Sequence, residues 1–133
     1  MAIEQTEYVL FAEAVFIHLR LMKRLGEIRF GIDQRSLVES ALARPQNAAV
    51  YENADLFRQA ATLYFGLIKN HPWLGGNKRT ATAIVDDFLY RNGYQIRCST
   101  SEIIKLVLAI ESNEFGVDDI EVWLRDRTFL LVE

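Results

Sequence analysis

The sequence predicts an all-α protein, a compact single-domain bundle of about six helices that spans residues 1–133. Two observations carry this fold class. Apolar side chains recur at intervals of three and four residues, which places them on one face of a helix, and Ser, Asp, Asn or Gly residues stand where these stretches begin and end. With 133 residues, half of them hydrophobic, the chain can bury one core and is short for two ordinary domains.

The first two helices are predicted in the N-terminal third. The first extends from Tyr8 to Leu25 and stops at Gly26, a residue that readily adopts the left-handed conformation of a helix C-terminus. Asp33 has the chemistry to cap the second helix, and Pro45 is predicted to end it. Residues 46–53 show no helical period and are predicted to form a connecting loop or flap.

The middle of the chain predicts two more helices around a short loop. The third helix begins near Leu56, and Asn70 and Pro72 close it. The fourth begins near Asn77 and ends at the pair Asn92-Gly93. The segment between these two helices is therefore held at both ends.

The last part of the chain predicts a short extended link at residues 94–97 and two final helices. Ser99 and Glu102 have the spacing of a capping box, in which each side chain bonds the other residue's backbone N–H, and they open the fifth helix. Asp118 and Glu121 repeat this spacing and are predicted to open the sixth helix.

Composition excludes several classes of function. With 15 basic and 18 acidic side chains and a net charge of -3, the chain has no field that would collect DNA or RNA, and we expect no direct nucleic-acid binding. Cys98 stands alone, which excludes an internal disulfide and a cysteine-based zinc cluster and suits a reducing cytoplasm. No apolar run reaches the ~18 residues of a membrane helix, and the first residues do not read as a signal peptide. The prediction is a cytoplasmic protein without a membrane partner.

The stretch from His71 to Arg79, His-Pro-Trp-Leu-Gly-Gly-Asn-Lys-Arg, is predicted to carry the chemistry. The first turn of a helix presents unpaired N–H groups and the positive end of the helix dipole, so Gly75, Gly76 and the amides after them are predicted to surround a phosphate. Glycines at these positions would also let a ligand approach the backbone. Lys78 contributes a point charge and Arg79 a planar fork that suits two phosphate oxygens.

His71 is predicted to be a general base, because imidazole titrates near neutrality and can take the proton of a hydroxyl beside that phosphate. The residues alone leave alternatives open: His71 as a helix cap or packing residue, and Arg79 as a solvated or carboxylate-paired cation. Trp73 is predicted to be a structural anchor folded under the loop. For His18 we predict a packing or hydrogen-bonding role. The missing Gly-Lys-Ser or Gly-Lys-Thr ending excludes an ordinary P-loop.

At these residues the sequence resembles the Fic superfamily, and within it the Doc (death-on-curing) toxin family. That family's loop reads His, any residue, Phe, any residue, Asp or Asn, Ala or Gly, Asn, Lys, Arg. The likeness extends to residues 37–46 (Leu-Val-Glu-Ser-Ala-Leu-Ala-Arg-Pro-Gln) and to residues 77–81. By this resemblance, Asn77 would hold the loop and the nucleotide, His71 would be the base, and the fold would be a Fic/Doc-like helical bundle.

The resemblance also implies an activity. It implies the toxin of a type II toxin-antitoxin system, a protein kinase that moves phosphate from ATP to a Ser or Thr hydroxyl of elongation factor Tu and so blocks translation. Two alternatives stay open: a catalytically weakened Doc homologue that acts by binding proteins, and a Fic-type AMP transferase. The AMP-transferring branch carries a second arginine where this chain has Thr82, which favours phosphate transfer.

Two positions depart from the family pattern. Trp73 replaces the phenylalanine, and Gly75 stands where the family usually places an acid that holds magnesium. We therefore expect weak use of Mg²⁺, and we expect Gly75→Asp to strengthen it. Glu52 or Asp55, near the predicted loop 46–53, are candidate replacement ligands for the metal.

A separate inhibitor is expected. Self-restrained Fic proteins carry a helix that reads Ser or Thr, three residues, Glu, then Gly or Asn, and this sequence contains no such string. Its one Glu-Asn pair, Glu52-Asn53, is preceded by Ala48 where the hydroxyl residue belongs. The resemblance then implies a Phd-like antitoxin supplied in trans, a segment that folds as a helix on the surface of the toxin.

Overall fold

The computed structural model describes residues 5–132, and it confirms the all-α fold class. Six helices follow one another along the described chain, together with one short antiparallel pair of strands. The elements are α1 (Phe11–Leu25), α2 (Arg35–Glu52), α3 (Leu56–Asn70), α4 (Asn77–Arg91), β1 (Tyr94–Ile96), α5 (Thr100–Glu111), α6 (Val117–Arg127) and β2 (Thr128–Leu130).

Helix α3 is the centre of the molecule. It contacts α2, α4, α5 and α6, and side chains on all its sides are buried, Leu63, Tyr64 and Leu67 among them. A helix surrounded in this way needs apolar residues around its whole circumference rather than on one face. Packing on every side fixes the position of its last residues, and the candidate loop begins there.

Helix α2 corrects the predicted end at Pro45 and the predicted loop at 46–53, because it continues to Glu52 with the proline inside it. A proline in a helix interior removes one backbone hydrogen bond and costs about 3 kcal/mol. Burial offsets this cost: Val38, Ala41, Pro45 and Ala48 follow one another at helical spacing, are buried, and belong to the helix that packs against α3. The sequence did not reveal this buried face of α2, because the residues that form it are small.

The helix caps agree with the predictions at three positions and differ at two. Gly26 ends α1 in the left-handed conformation, Asn92 caps the C-terminus of α4, and Ser99 and Glu102 form the predicted capping box. The cap of α2 is Gln34 rather than Asp33, with no side-chain hydrogen bond.

The start of α6 is the second difference. Asp119, not Asp118, accepts the hydrogen bond from the backbone of Gly116 that opens the helix, at 2.9 Å. The predicted pair, Asp118 and Glu121, instead accepts hydrogen bonds from Arg58 of α3. Asp118 and Glu121 have the spacing of a capping box, but their carboxylates bind Arg58 of a distant helix instead.

The extended link at residues 94–97 is confirmed and has a partner that the sequence did not reveal. Tyr94, Gln95 and Ile96 pair with Leu130, Phe129 and Thr128 in antiparallel register. This pairing ties the end of α4 to the end of α6. Between residues 5 and 132, no helix combines the length and the apolarity that a bilayer span requires.

Candidate active site

The loop between α3 and α4 brings the predicted site residues together in one turn of chain. His71 follows the last residue of α3 with a left-handed backbone (φ 50°) and an exposed side chain. Gly76 precedes α4, also left-handed (φ 66°), and it provides no side-chain cap for the first turn. The amides of that turn therefore lie close to an exposed imidazole.

Asn77 fixes the shape of this loop. Its side chain is buried, its Oδ1 accepts a hydrogen bond from the backbone N–H of Trp73 at 2.9 Å, and its Nδ2 donates to the carbonyl of Trp73 at 2.9 Å. These two bonds set the orientation of the amide. The same Nδ2 lies 3.2 Å from Nδ1 of His71, so it donates to that nitrogen and the neutral imidazole carries its proton on Nε2.

Trp73 is the anchor that the sequence predicted. It is 1% exposed, and its ring stacks on the imidazole of His18 with the ring centroids 4.2 Å apart. A large buried ring at this point holds the loop against α1. The substitution of tryptophan for the family phenylalanine is accommodated inside the core.

His18 has the predicted hydrogen-bonding role, and it joins three parts of the site. It is fully buried, its Nε2 accepts a hydrogen bond from the backbone N–H of Gly31 at 2.9 Å, and its Nδ1 lies 2.8 Å from Oγ1 of Thr80. Because Nε2 accepts, Nδ1 carries the proton and donates to Thr80. Burial lowers the pKa of this imidazole to about 4, so the ring is neutral at physiological pH.

A segment that the sequence did not single out lies against the loop. We call residues 27–34 the cover segment. The N–H of Leu74 donates to the carbonyl of Gly31 at 2.9 Å, the N–H of Asp33 donates to the carbonyl of Pro72 at 3.0 Å, and Ile32 forms an isolated antiparallel bridge with Trp73. The alternation Ile-Arg-Phe-Gly-Ile-Asp at residues 28–33 is the signal that could have identified this extended stretch.

The two glycines of the loop make room for protein atoms, and the predicted approach of a ligand to their backbone stays a prediction. A β-carbon at Gly75 would lie closer than 3.0 Å to the carbonyl oxygen of Arg29 in the cover segment. A β-carbon at Gly76 would come equally close to the side chain of Met22 in α1. Neither position has room for a side chain, because the loop packs against the cover segment at Gly75 and against α1 at Gly76.

The two predicted phosphate cations already have carboxylate partners. Nζ of Lys78 lies 3.0 Å from a carboxylate oxygen of Glu111, and Nη1 of Arg79 lies 3.6 Å from one of Glu27. Both pairs are solvent-accessible, and exposed pairs of this kind contribute ~0–1 kcal/mol. A polyphosphate at the start of α4 would therefore displace either carboxylate at little cost.

The structure does not bring either of the predicted metal ligands, Glu52 and Asp55, to the loop. Glu52 and Asp55 lie at the opposite end of α3 from His71, and this helix of 15 residues is about 22 Å long at 1.5 Å per residue. Glu52 pairs with Arg58, and Asp55 caps α3 and pairs with Arg125. Among residues 5–132, no group of three or more His, Cys, Asp or Glu side chains could hold a metal ion. With glycine at position 75 and both candidate ligands engaged at the far end of α3, weak use of Mg²⁺ stays a prediction.

Comparisons of the sequence with known proteins show its relatives. The sequence profile of the Fic/DOC family matches residues 8–89, which include α1, the cover segment, the loop and most of α4. The chain is 41% identical over 78 residues to Toxin Doc of Mycolicibacterium smegmatis, a match over 53% of this chain and 59% of that relative's length. It is 29% identical over 114 residues to Protein kinase doc of Escherichia phage P1, over 85% of this chain and 89% of the phage protein. Since the family profile spans more than half of its residues, this chain belongs to the Fic/DOC family.

Proposed function

We propose that this protein is a Doc-type toxin, a phosphotransferase that moves phosphate from ATP to a Ser or Thr hydroxyl of a target protein. The observation that carries the proposal is the exposed imidazole of His71, held by Asn77 beside the uncapped first turn of α4 with Lys78 and Arg79. The relative from phage P1 carries the name protein kinase. We propose elongation factor Tu as the target and arrest of translation as the result, in the cytoplasm.

The chain's residues have distinct tasks in this reaction. The amides of the first turn, Lys78 and Arg79 bind the phosphates. The target hydroxyl oxygen forms a bond to the γ-phosphorus, the bond from that phosphorus to the bridging oxygen breaks, and ADP leaves. His71 takes the hydroxyl proton, a contribution of typically ~10²–10⁴-fold in rate. Burial of Trp73 and the bonds of Asn77 hold the loop in place during the transfer.

Thr82 supports phosphate transfer over AMP transfer. It stands where the AMP-transferring branch of the superfamily has an arginine, and its hydroxyl donates to the carbonyl of Lys78 at 3.0 Å and lies 2.6 Å from the hydroxyl of Tyr64. These contacts engage the side chain within the fold, and it adds no positive charge to the phosphate site. AMP transfer is the second candidate.

Control of the toxin is proposed to come from a separate antitoxin of the Phd type. The motif of self-restrained Fic proteins is missing from the sequence, and in residues 5–132 the exposed His71 has no inhibitory helix over it. The remaining alternative is a homologue that has lost transfer activity and acts by binding proteins.

One assay separates the three candidates. Purified protein is incubated with elongation factor Tu and ATP labelled either on the γ-phosphate or on the α-phosphate. The proposed function expects γ-label on the target and no α-label. Transfer of the α-label would replace it with AMP transfer, and no transfer of either label would leave the protein-binding homologue. His71→Ala should abolish labelling, and Lys105→Ala, which alters an exposed residue of α5, should not.

A further inference from the structure

We infer that Arg29 of the cover segment is a phosphate-binding residue, and that its guanidinium offsets polyphosphate charge at the loop in place of a carboxylate-held Mg²⁺. This rests on the proposed function only in that the ligand is a polyphosphate. It concerns a residue outside the loop that no motif of the sequence singled out.

The first step of the argument is the relation between Gly75 and Arg29. The φ angle of Gly75 is not in the left-handed region, so its backbone conformation would accept a side chain. The obstacle is the carbonyl oxygen of Arg29, which a β-carbon at Gly75 would approach to less than 3.0 Å. An acidic residue at position 75 would therefore clash with the cover segment in its present position. The backbone carbonyl of Arg29 occupies the space that the side chain of an acid at position 75 would enter.

The second step is the side chain of Arg29. Its Cγ would lie 3.9 Å from a β-carbon at Gly75, and the guanidinium follows three bonds later along an exposed side chain. Within the described part of the chain, Arg29 forms no ion pair, whereas Lys78 and Arg79 each have a carboxylate partner. Arg29 is thus the cation beside the loop that a phosphate would not have to compete for. A guanidinium can also donate two parallel hydrogen bonds to one phosphate.

The third step is the balance of charge at the loop. Lys78 and Arg79 belong to the first turn of α4, the Cγ of Arg29 lies beside Gly75 just before that turn, and the helix dipole adds positive potential. The nearby carboxylates, Glu27 and Glu111, pair with two of these cations and are not arranged as a metal site. Polyphosphate binding should then not require Mg²⁺, and it should weaken with salt because it depends on exposed charges.

The experiment measures binding of inorganic tripolyphosphate and of ATP by titration calorimetry, each in EDTA and in excess Mg²⁺. We expect the unaltered chain to bind tripolyphosphate in EDTA, with an affinity that Mg²⁺ does not raise. Arg29→Ala should weaken binding about tenfold or more in EDTA, as loss of a charge-assisted bidentate contact does. Arg29→Lys should restore part of the affinity. Lys105→Ala removes the same charge from an exposed site on α5 and should leave binding unchanged.

The outcomes separate this inference from the proposed function. Tripolyphosphate binding that appears only with Mg²⁺, or that Arg29→Ala leaves unchanged, overturns the role of Arg29. So does an absence of tripolyphosphate binding under all conditions. Binding of tripolyphosphate but not of ATP supports the role of Arg29 and contradicts ATP as the donor. An effect of Lys105→Ala as large as that of Arg29→Ala would show a general charge effect and also overturn the inference.

Discussion

Asn77 restrains the candidate base as well as the loop. Its amide donates to Nδ1 of His71, and the two bonds to Trp73 prevent the amide from turning around to accept instead. The resting imidazole then has its proton on Nε2 and its lone pair engaged at Nδ1. Before the ring takes a proton from a hydroxyl, the contact with Asn77 has to open, either to free the lone pair of Nδ1 or to let the proton of Nε2 move to Nδ1. If His71 is the base, as proposed, binding of the target has to break its contact with Asn77.

This leads to a prediction for the tautomer of His71. In the unaltered protein, ¹⁵N chemical shifts should show the neutral ring protonated at Nε2, since Nδ1 accepts from Asn77. Asn77→Ala should shift the population toward a mixture, and the lost buried hydrogen bonds should cost ~1–3 kcal/mol of stability. A ring protonated at Nδ1 in the unaltered chain would contradict the assignment.

A second prediction at the scale of the residue concerns His18. Burial lowers its pKa from 6.5 to about 4 in the folded protein, so the unfolded chain binds a proton more readily. Its contribution to stability is therefore complete above pH 6.5 and is lost as pH falls toward 4. By linkage, the loss amounts to about 3 kcal/mol at most. Urea unfolding measured at several pH values in this window should show the decline.

The control for that prediction is His18→Gln, whose amide can donate to Thr80 and accept from Gly31 without titrating. Its stability should fall less steeply over the same pH window. Equal slopes for the two proteins would assign the acid sensitivity to carboxylates elsewhere in the chain. His18 faces Thr80, Trp73 and the backbone of Gly31, and none of these groups titrates in this range.

At the scale of elements, the cover segment and the loop form one unit. Backbone hydrogen bonds at Gly31 and Pro72 and the bridge between Ile32 and Trp73 hold them together, and Gly75 permits the close approach. The neighbours of a new β-carbon differ in kind at the two glycines. At Gly76 it would meet the end of the flexible Met22 side chain, and at Gly75 it would meet backbone. The second contact is harder to relieve.

We therefore predict that Gly75→Ala destabilises the protein by about 1–3 kcal/mol, the usual cost of forcing an extra group into a packed site. Hydrogen exchange at the amides of Leu74 and Asp33 should accelerate, because their acceptors lie across this contact. Gly75→Asp should show the same loss, so the expected gain in Mg²⁺ binding would come with a displaced cover segment. Unchanged stability and exchange in both variants would show that the segment moves freely.

At the scale of the whole molecule, the packing of α3 sets the position of the site. The helix is surrounded by α2, α4, α5 and α6. His71 follows its last residue and therefore lies at the end of the core, beside the start of α4. The strand pair joins the far end of α4 to α6. The loop is thus attached to two helices that the rest of the fold holds, while His71 itself stays exposed.

The corresponding prediction concerns growth. Expression of the unaltered chain without a companion gene should inhibit growth, and His71→Ala should relieve the inhibition while the variant still folds, because the side chain is exposed and loses only its contact with Asn77. Co-expression of a Phd-type antitoxin should also relieve it. An unaltered chain that transfers phosphate in vitro yet leaves growth unaffected would contradict control by a separate antitoxin.

The sequence by itself determined the features that depend on neighbouring residues. Helix periodicity and caps located α3, α4 and the loop between them, and the loop residues from His71 to Arg79 predicted the family that the comparisons confirmed. These signals are local, since a cap or an apolar face is formed within a few residues. The family resemblance itself was a likeness of residues and not a deduction from packing.

Only the tertiary structure decided which distant residues meet. It continued α2 through Pro45, where burial against α3 outweighs the lost hydrogen bond, and it placed the cover segment on the loop through bonds to Pro72 and Leu74. In the structure, Glu52 and Asp55 lie far from the site, and the backbone of Arg29 lies against Gly75. Such contacts depend on the three-dimensional packing of segments far apart in the chain, and no local pattern of residues specifies that packing.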